Sequence, residues 1–224
     1  MMARHRERGL SLVELLVGAA IGLIVVAAAG SVVAAHQVAA RQVQLEARLM
    51  QDLRSAAELV ARDLRRAGHW AAAASGVRRG DEPGAVNPHA AIAPASGAAG
   101  VVTLSFSTGA GDPLIVNAAE RFGFRLRNGA IEVQLGERNW QALSDPGTVV
   151  VTAFRVVARI DEAALETFCA TVCAAGSTTC PPRQQVRSYE ITVAGRSVAD
   201  PLLARELRSA VRARNDVVVG NCEA

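Results

Sequence analysis

The sequence predicts an α+β fold. A long N-terminal α-helix, transmembrane in its first half and amphipathic in its second, packs on an antiparallel β-sheet head. Three observations predict it. Residues 15–35 form an apolar run without a charge. Helical apolar spacing continues from that run to residue 67, and the first proline of the chain is Pro83. From residue 101 the pattern turns to short strands separated by turn residues.

Composition narrows the class before any element is placed. The chain has 224 residues, 50% of them apolar but only 4% aromatic, so the apolar content is mainly Ala, Val and Leu. With 20% charged residues it is not a long disordered protein. One stretch alone is long enough to cross a bilayer, which excludes a multispanning protein. All 24 basic residues are Arg, and the formal charge is +3. Arg4, Arg6 and Arg8 against Glu7 place +2 of it in residues 1–9 and leave +1 for the other 215. Binding nucleic acid needs a basic patch on the folded part, with aromatics for single strands. Arg is scattered and aromatics are few, so no nucleic-acid partner is expected.

The first element is the apolar helix. Residues 15–35 as a helix span ~31 Å, about one hydrocarbon core. Three Arg precede it and Arg41 is the first charge after it, so the positive-inside bias puts the N-terminus in the cytoplasm. A secretory signal cut near Ala27-Ala28-Ala29 is the rival reading. The apolar stretch 10–35 is longer than the roughly 7–15 residues of such a signal, and it carries Glu14 near its start, where a carboxylate is expensive.

Residues 8–16 read Arg8-Gly9-Leu10-Ser11-Leu12-Val13-Glu14-Leu15-Leu16. This resembles the signal of type IV prepilins: a basic leader ending in Gly, an apolar residue, Ser or Thr, two apolar residues, Glu, then a long apolar helix. Leu10 stands where Phe is usual. The resemblance implies that a membrane-embedded prepilin peptidase cuts Gly9–Leu10 and N-methylates Leu10. Glycine at the cut lets a protease approach the backbone closely. It also implies that Glu14 meets the new N-terminal amine of a neighbouring subunit, each charge neutralising the other in an apolar setting. The apolar helix then stays on the mature protein as anchor and filament core.

The second half of the helix follows from its stripe. Leu45, Leu49, Leu53, Ala56, Val60, Leu64 and Ala67 recur at steps of three and four, with Arg62, Asp63 and Arg66 off the stripe. Gly68 is placed to stop the helix. A helix over residues 10–67 would be ~87 Å long. Residues 61–70, ARDLRRAGHW, resemble the end of the first helix in PilW-type minor pilins. PilW-like chains often carry a Cys soon afterwards, whereas residues 71–75 here read AAAAS.

Residues 69–100, rich in Ala, Gly and Pro, read as an αβ-loop in which His89 is solvated. Strands are predicted over 101–107 and 113–118. Residues 122–127 and 130–135 flank Asn128-Gly129, a type I′ hairpin signal. The longest strand covers 148–160, with Val150, Thr152, Phe154, Val156, Ala158 and Ile160 on one face. Residues 185–194 put Arg187, Tyr189, Ile191 and Val193 on one face. Residues 203–214 fit a strand or a helix by period, and a strand is chosen because pilin-like chains often end in one closing with Arg-Asn, as at Arg214-Asn215. The organisation is thus a leader at 1–9, a transmembrane and filament-core helix at 10–35, its amphipathic half at 36–68, the loop at 69–100 and the head at 101–224.

Cys169, Cys173, Cys180 and Cys222 all lie in the last quarter. Their even number in an exported head predicts two disulfides, with three pairings open. The Cys169-x3-Cys173 spacing would also suit zinc, but an oxidising compartment and no nearby His argue against a metal. Asp161, Glu162 and Glu166 read as a solvated acidic turn. No nucleophile elbow, zincin motif, P-loop or dinucleotide fingerprint occurs, and the four His lie far apart. No enzyme and no cofactor are expected.

The resemblance implies a structural minor pilin of the PilW-like kind. Its expected partners are prepilin peptidase, other minor pilins, the major pilin and inner-membrane lipid, with the head in the periplasm and later at the pilus tip. The role implied is the initiation of type IV pilus assembly and, with it, twitching motility. A minor pseudopilin of type II secretion and a membrane-anchored periplasmic binding module are the alternatives.

Overall fold

The structure, a computed structural model, describes residues 11–77, 84–109 and 111–223. It forms two compact units, Met1–Leu45 and Glu46–Ala224, and the single long helix α1, Leu12–Arg66, contributes to both.

Within the first unit, α1 is apolar on every side over residues 15–35. Leu12, Leu16, Ile21, Ile24 and Val32 are exposed, and the most apolar 18-residue window has a mean hydropathy of 2.5 with nothing buried. A helix apolar all round needs an apolar surrounding.

In the second unit the same helix becomes amphipathic. Leu49, Leu53, Ala56, Val60, Leu64 and Ala67 are buried, as their spacing predicts, and Leu45 is half-buried. Asp63 differs from expectation. It is 5% exposed, with Arg62 as its side-chain partner at 3.5 Å. Burial pushes its carboxyl up, against the pull of Arg62 and Arg66. Periodicity missed it because Asp63 sits one position from the stripe, on a helix covered over more than a narrow seam. The helix stops where Gly68 takes φ +77°, the left-handed region that suits a residue without Cβ.

Two antiparallel sheets complete this α+β head. The larger one orders β1 (Gly97–Ala99), β6 (Val149–Ala164), β7 (Arg183–Ser197) and β8 (Ala204–Arg212), with β9 (Val217–Val219) also on β7. The smaller one orders β2 (Val101–Ser105), β3 (Arg121–Arg127), β4 (Ala130–Leu135) and β5 (Trp140–Ala142). Asn128 (φ 51°) and Gly129 (φ 75°) make the predicted turn between β3 and β4. Residues 204–212 are strand, not helix. Arg187, Tyr189, Ile191 and Val193 on β7 are all buried. At Gly195 a Cβ would stand 3.1 Å from a Leu53 methyl, so the sheet approaches the helix closely there.

Two strand predictions change. Residues 113–118 are not a strand: they turn into a short 3-10 helix, Ala118–Glu120. The Asp112 side chain accepts from Leu114 N–H, and Asn117 and Glu120 form a capping box, so local side-chain bonds displace strand pairing. On β6 the predicted single face is broken. The register shifts between Val151 and Ala153, so Val149 and Val151 are buried before the shift and Phe154, Val156 and Ala158 after it. A bulge adds one residue, and period 2 then changes phase. β6 also continues past Ile160 to Ala164, so Asp161 and Glu162 lie on a strand and not in a turn.

Candidate functional site

Gly9 and Leu10, the predicted cleavage and methylation positions, lie outside the described residues. Glu14 is in the first turn of α1 and exposed, and among the described residues its side chain makes no hydrogen bond or ion pair. A carboxylate so placed has its own helix to shield one side only, and it presents the other to whatever surrounds the apolar segment.

The four cysteines pair as Cys169–Cys222 and Cys173–Cys180. The first joins the β6–β7 connection to the C-terminal tail across 53 positions, and the second closes a loop of 7. The sulfurs of Cys169, Cys173 and Cys180 lie within 4.8 Å of one another, a spacing a metal could use. Each is committed to a disulfide and offers no thiolate ligand. Of the acidic group nearby, Glu162 instead pairs with Arg183 at 3.2 Å and accepts from Gln185.

The end of α1, where residues 61–70 stand, is held by parts of the chain far away in sequence. Asn215 donates to the carbonyls of Ala67 (3.0 Å) and Arg66 (3.4 Å), and Arg214 N–H donates to Arg65 O. Asn87 donates to Gly68 O at 2.9 Å. These bonds satisfy the last carbonyls of the helix, which have no partner within it. Arg187, 7% exposed, donates to Ala90 O and Asn215 O and so ties the αβ-loop to the C-terminal segment. The Trp70 indole donates to Pro113 O at 2.5 Å, and the Arg66 guanidinium lies 4.2 Å above the Phe106 ring, which stacks on Phe122.

Beside this junction His89 is fully buried, not solvated as the sequence reading has it. Asn87 Oδ1 accepts from the His89 N–H and folds the loop inward, which composition could not indicate. Neither ring nitrogen of His89 makes a hydrogen bond, and Nε2 lies 3.8 Å from Glu120 Oε2. Burial holds the imidazole pKa down; His69 adds to this and Glu120 opposes it. Glu120 is 1% exposed. Its burial would raise its pKa, but donors from Asn117, Thr108 and Ser107 outweigh that and bring it to about 2. Sequence reasoning missed Glu120, although Asn117-x-x-Glu120 is a capping-box pattern that could have located it.

Residues 4–30 match the prokaryotic N-terminal methylation motif. Such a motif on a single long apolar helix, with an α+β head, defines a type IV pilin-like protein processed by prepilin peptidase. The helix fits a single-pass membrane anchor. Residues 42–213 match the family of prepilin peptidase-dependent protein B, and the chain belongs to that family. Pilin-like families are structural and not enzymatic. No curated protein and no solved structure matches the chain.

Proposed function

We propose that the protein is a minor pilin of the PilW-like kind that takes part in initiating type IV pilus assembly with other minor pilins. The observation that carries this is the prepilin signal at residues 8–16 running into an apolar helix, within the matched methylation motif. In this reading the peptidase cuts Gly9–Leu10 on the cytoplasmic side and methylates Leu10, and the head stands in the periplasm. Glu14 then pairs with the amine of a neighbouring subunit and sets register more than stability, since an unpaired charge in an apolar core is costly.

Mass spectrometry of the mature N-terminus tests the processing: methyl-leucine at residue 10 is expected, and an uncut chain or an N-terminus near residue 30 refutes it. Gly9 replaced by a bulky residue should accumulate precursor. Glu14→Ala should leave insertion and cleavage intact and impair piliation. A deletion strain should lose twitching; loss of secretion in its place would assign the protein to type II secretion.

A further inference from the structure

We propose that Cys222 is a site of covalent thiol attachment, where an external thiol forms a mixed disulfide while the Cys173–Cys180 disulfide takes up the thiolate that leaves.

Two disulfides meet in one small volume. The sulfurs of Cys169, Cys173 and Cys180 lie within 4.8 Å of one another, and these three come from both bonds. A thiolate released at Cys169 therefore has a second disulfide within reach of a small side-chain movement. Exchange needs a thiolate and an accessible disulfide sulfur, and it runs faster when the leaving thiol has the lower pKa.

The surroundings set the direction of each step. Cys222 is half-buried and follows exposed Asn221 on the segment after β9, whereas the Cys169 sulfur has the other two sulfurs beside it. An external thiolate attacks the Cys222 sulfur. A bond forms between them, the Cys169–Cys222 bond breaks, and Cys169 leaves as the thiolate. Alone, that thiolate would return to Cys222 and expel the incoming group. Here the neighbouring disulfide diverts it. Cys180 is 4% exposed and Cys173 is half-buried. Apolar burial raises a thiol pKa, so the thiolate is better placed on Cys173. Cys169 therefore attacks Cys180, the Cys169–Cys180 bond forms, and Cys173 leaves and takes a proton from water. Each step breaks one S–S bond and forms one. Two disulfides and one thiol enter, two disulfides and one thiol remain, and nothing is oxidised or reduced overall.

Other bonds keep Cys222 at the head once its own disulfide has opened. Val217–Val219 pair with Arg183–Gln185 of β7. Asn221 N–H donates to Thr179 O at 2.9 Å, and Glu223 Oε1 accepts from Ala174 N–H at 3.0 Å. They hold the chain on both sides of Cys222, so the attached thiol stays against the β6–β7 connection.

The test uses the full chain in detergent and two probes. Glutathione represents a small thiol, and a thioredoxin with its second active-site cysteine replaced represents a protein thiol. Free thiols are trapped with N-ethylmaleimide before peptide mapping. The expected product carries the probe on Cys222, a Cys169–Cys180 bond and maleimide on Cys173. Adduct with glutathione alone assigns a small thiol, and adduct with thioredoxin alone assigns a protein thiol. Cys173→Ser with Cys180→Ser should lose most of the adduct, because Cys169 then has only Cys222 to attack. The wild-type map decides the matter even where that double variant does not fold. Maleimide on Cys169 with Cys173–Cys180 intact, a probe on another cysteine, rearranged bonds without a probe, an undiminished adduct in a folded double variant, or no adduct from either probe would overturn the proposal.

Discussion

Glu120→Gln tests how far the head depends on one buried carboxylate. Glu120 Oε1 accepts from Thr108 N–H at 2.8 Å, and Oε2 accepts from Asn117 N–H at 3.1 Å and Asn117 Nδ2 at 2.9 Å. An amide keeps the shape but has one oxygen. Its NH2 must face either Thr108 or the Asn117 donors, so at least one donor meets a donor. Hydrogen bonds to charged groups contribute about 1.5–3 kcal/mol, and an orphaned buried donor costs a further 1–3, so the loss should be about 3 kcal/mol. For a head of this size that lowers the unfolding midpoint by about 6–12 °C. Circular dichroism of the full chain in detergent would measure it. The carboxyl is held at about 2 against an ordinary 4.5, so its contribution is complete above 4.5 and is lost as pH falls toward 2. The gap between variant and wild type should therefore shrink in acid. A midpoint within about 2 °C of wild type at neutral pH would refute this account.

Leu53→Ala should cost about 2–5 kcal/mol in denaturant unfolding, because Leu53 is 1% exposed and faces Gly195 on β7. Gly68→Ala should cost about 1–2 kcal/mol, since φ is +77° and the new Cβ would stand 3.3 Å from the Arg187 guanidinium. His89 takes its proton at lower pH in the folded head than in the unfolded chain, so stability from this group is present at neutral pH and falls as pH drops below about 6.5. In His89→Leu that part of the acid dependence should be absent, as read by unfolding midpoints across the range.

Legibility followed the range of the interactions. The apolar run, the stripe from Leu49 to Ala67, the Gly68 stop and the Asn128-Gly129 turn depend on residues within a few positions of each other, and all are visible in composition and period. The prepilin signal is legible for the same reason, because a peptidase reads a short contiguous segment. Asp63, His89 and the bulge in β6 were not legible. Their burial or phase is decided by neighbours brought from elsewhere in the chain: Asn87 turning His89 inward, and β7 setting the register of β6.

The sequence by itself therefore determined the processing signal, the membrane-length helix and the α+β class, because each rests on local chemistry or on a period. Only the tertiary structure decided how the cysteines pair and that Arg187 and Asn215 close the end of α1. Apart from Cys173–Cys180, seven positions apart, those contacts join residues tens to more than a hundred positions apart. No linear pattern encodes which distant groups meet; burial and hydrogen-bond satisfaction in the folded head select them.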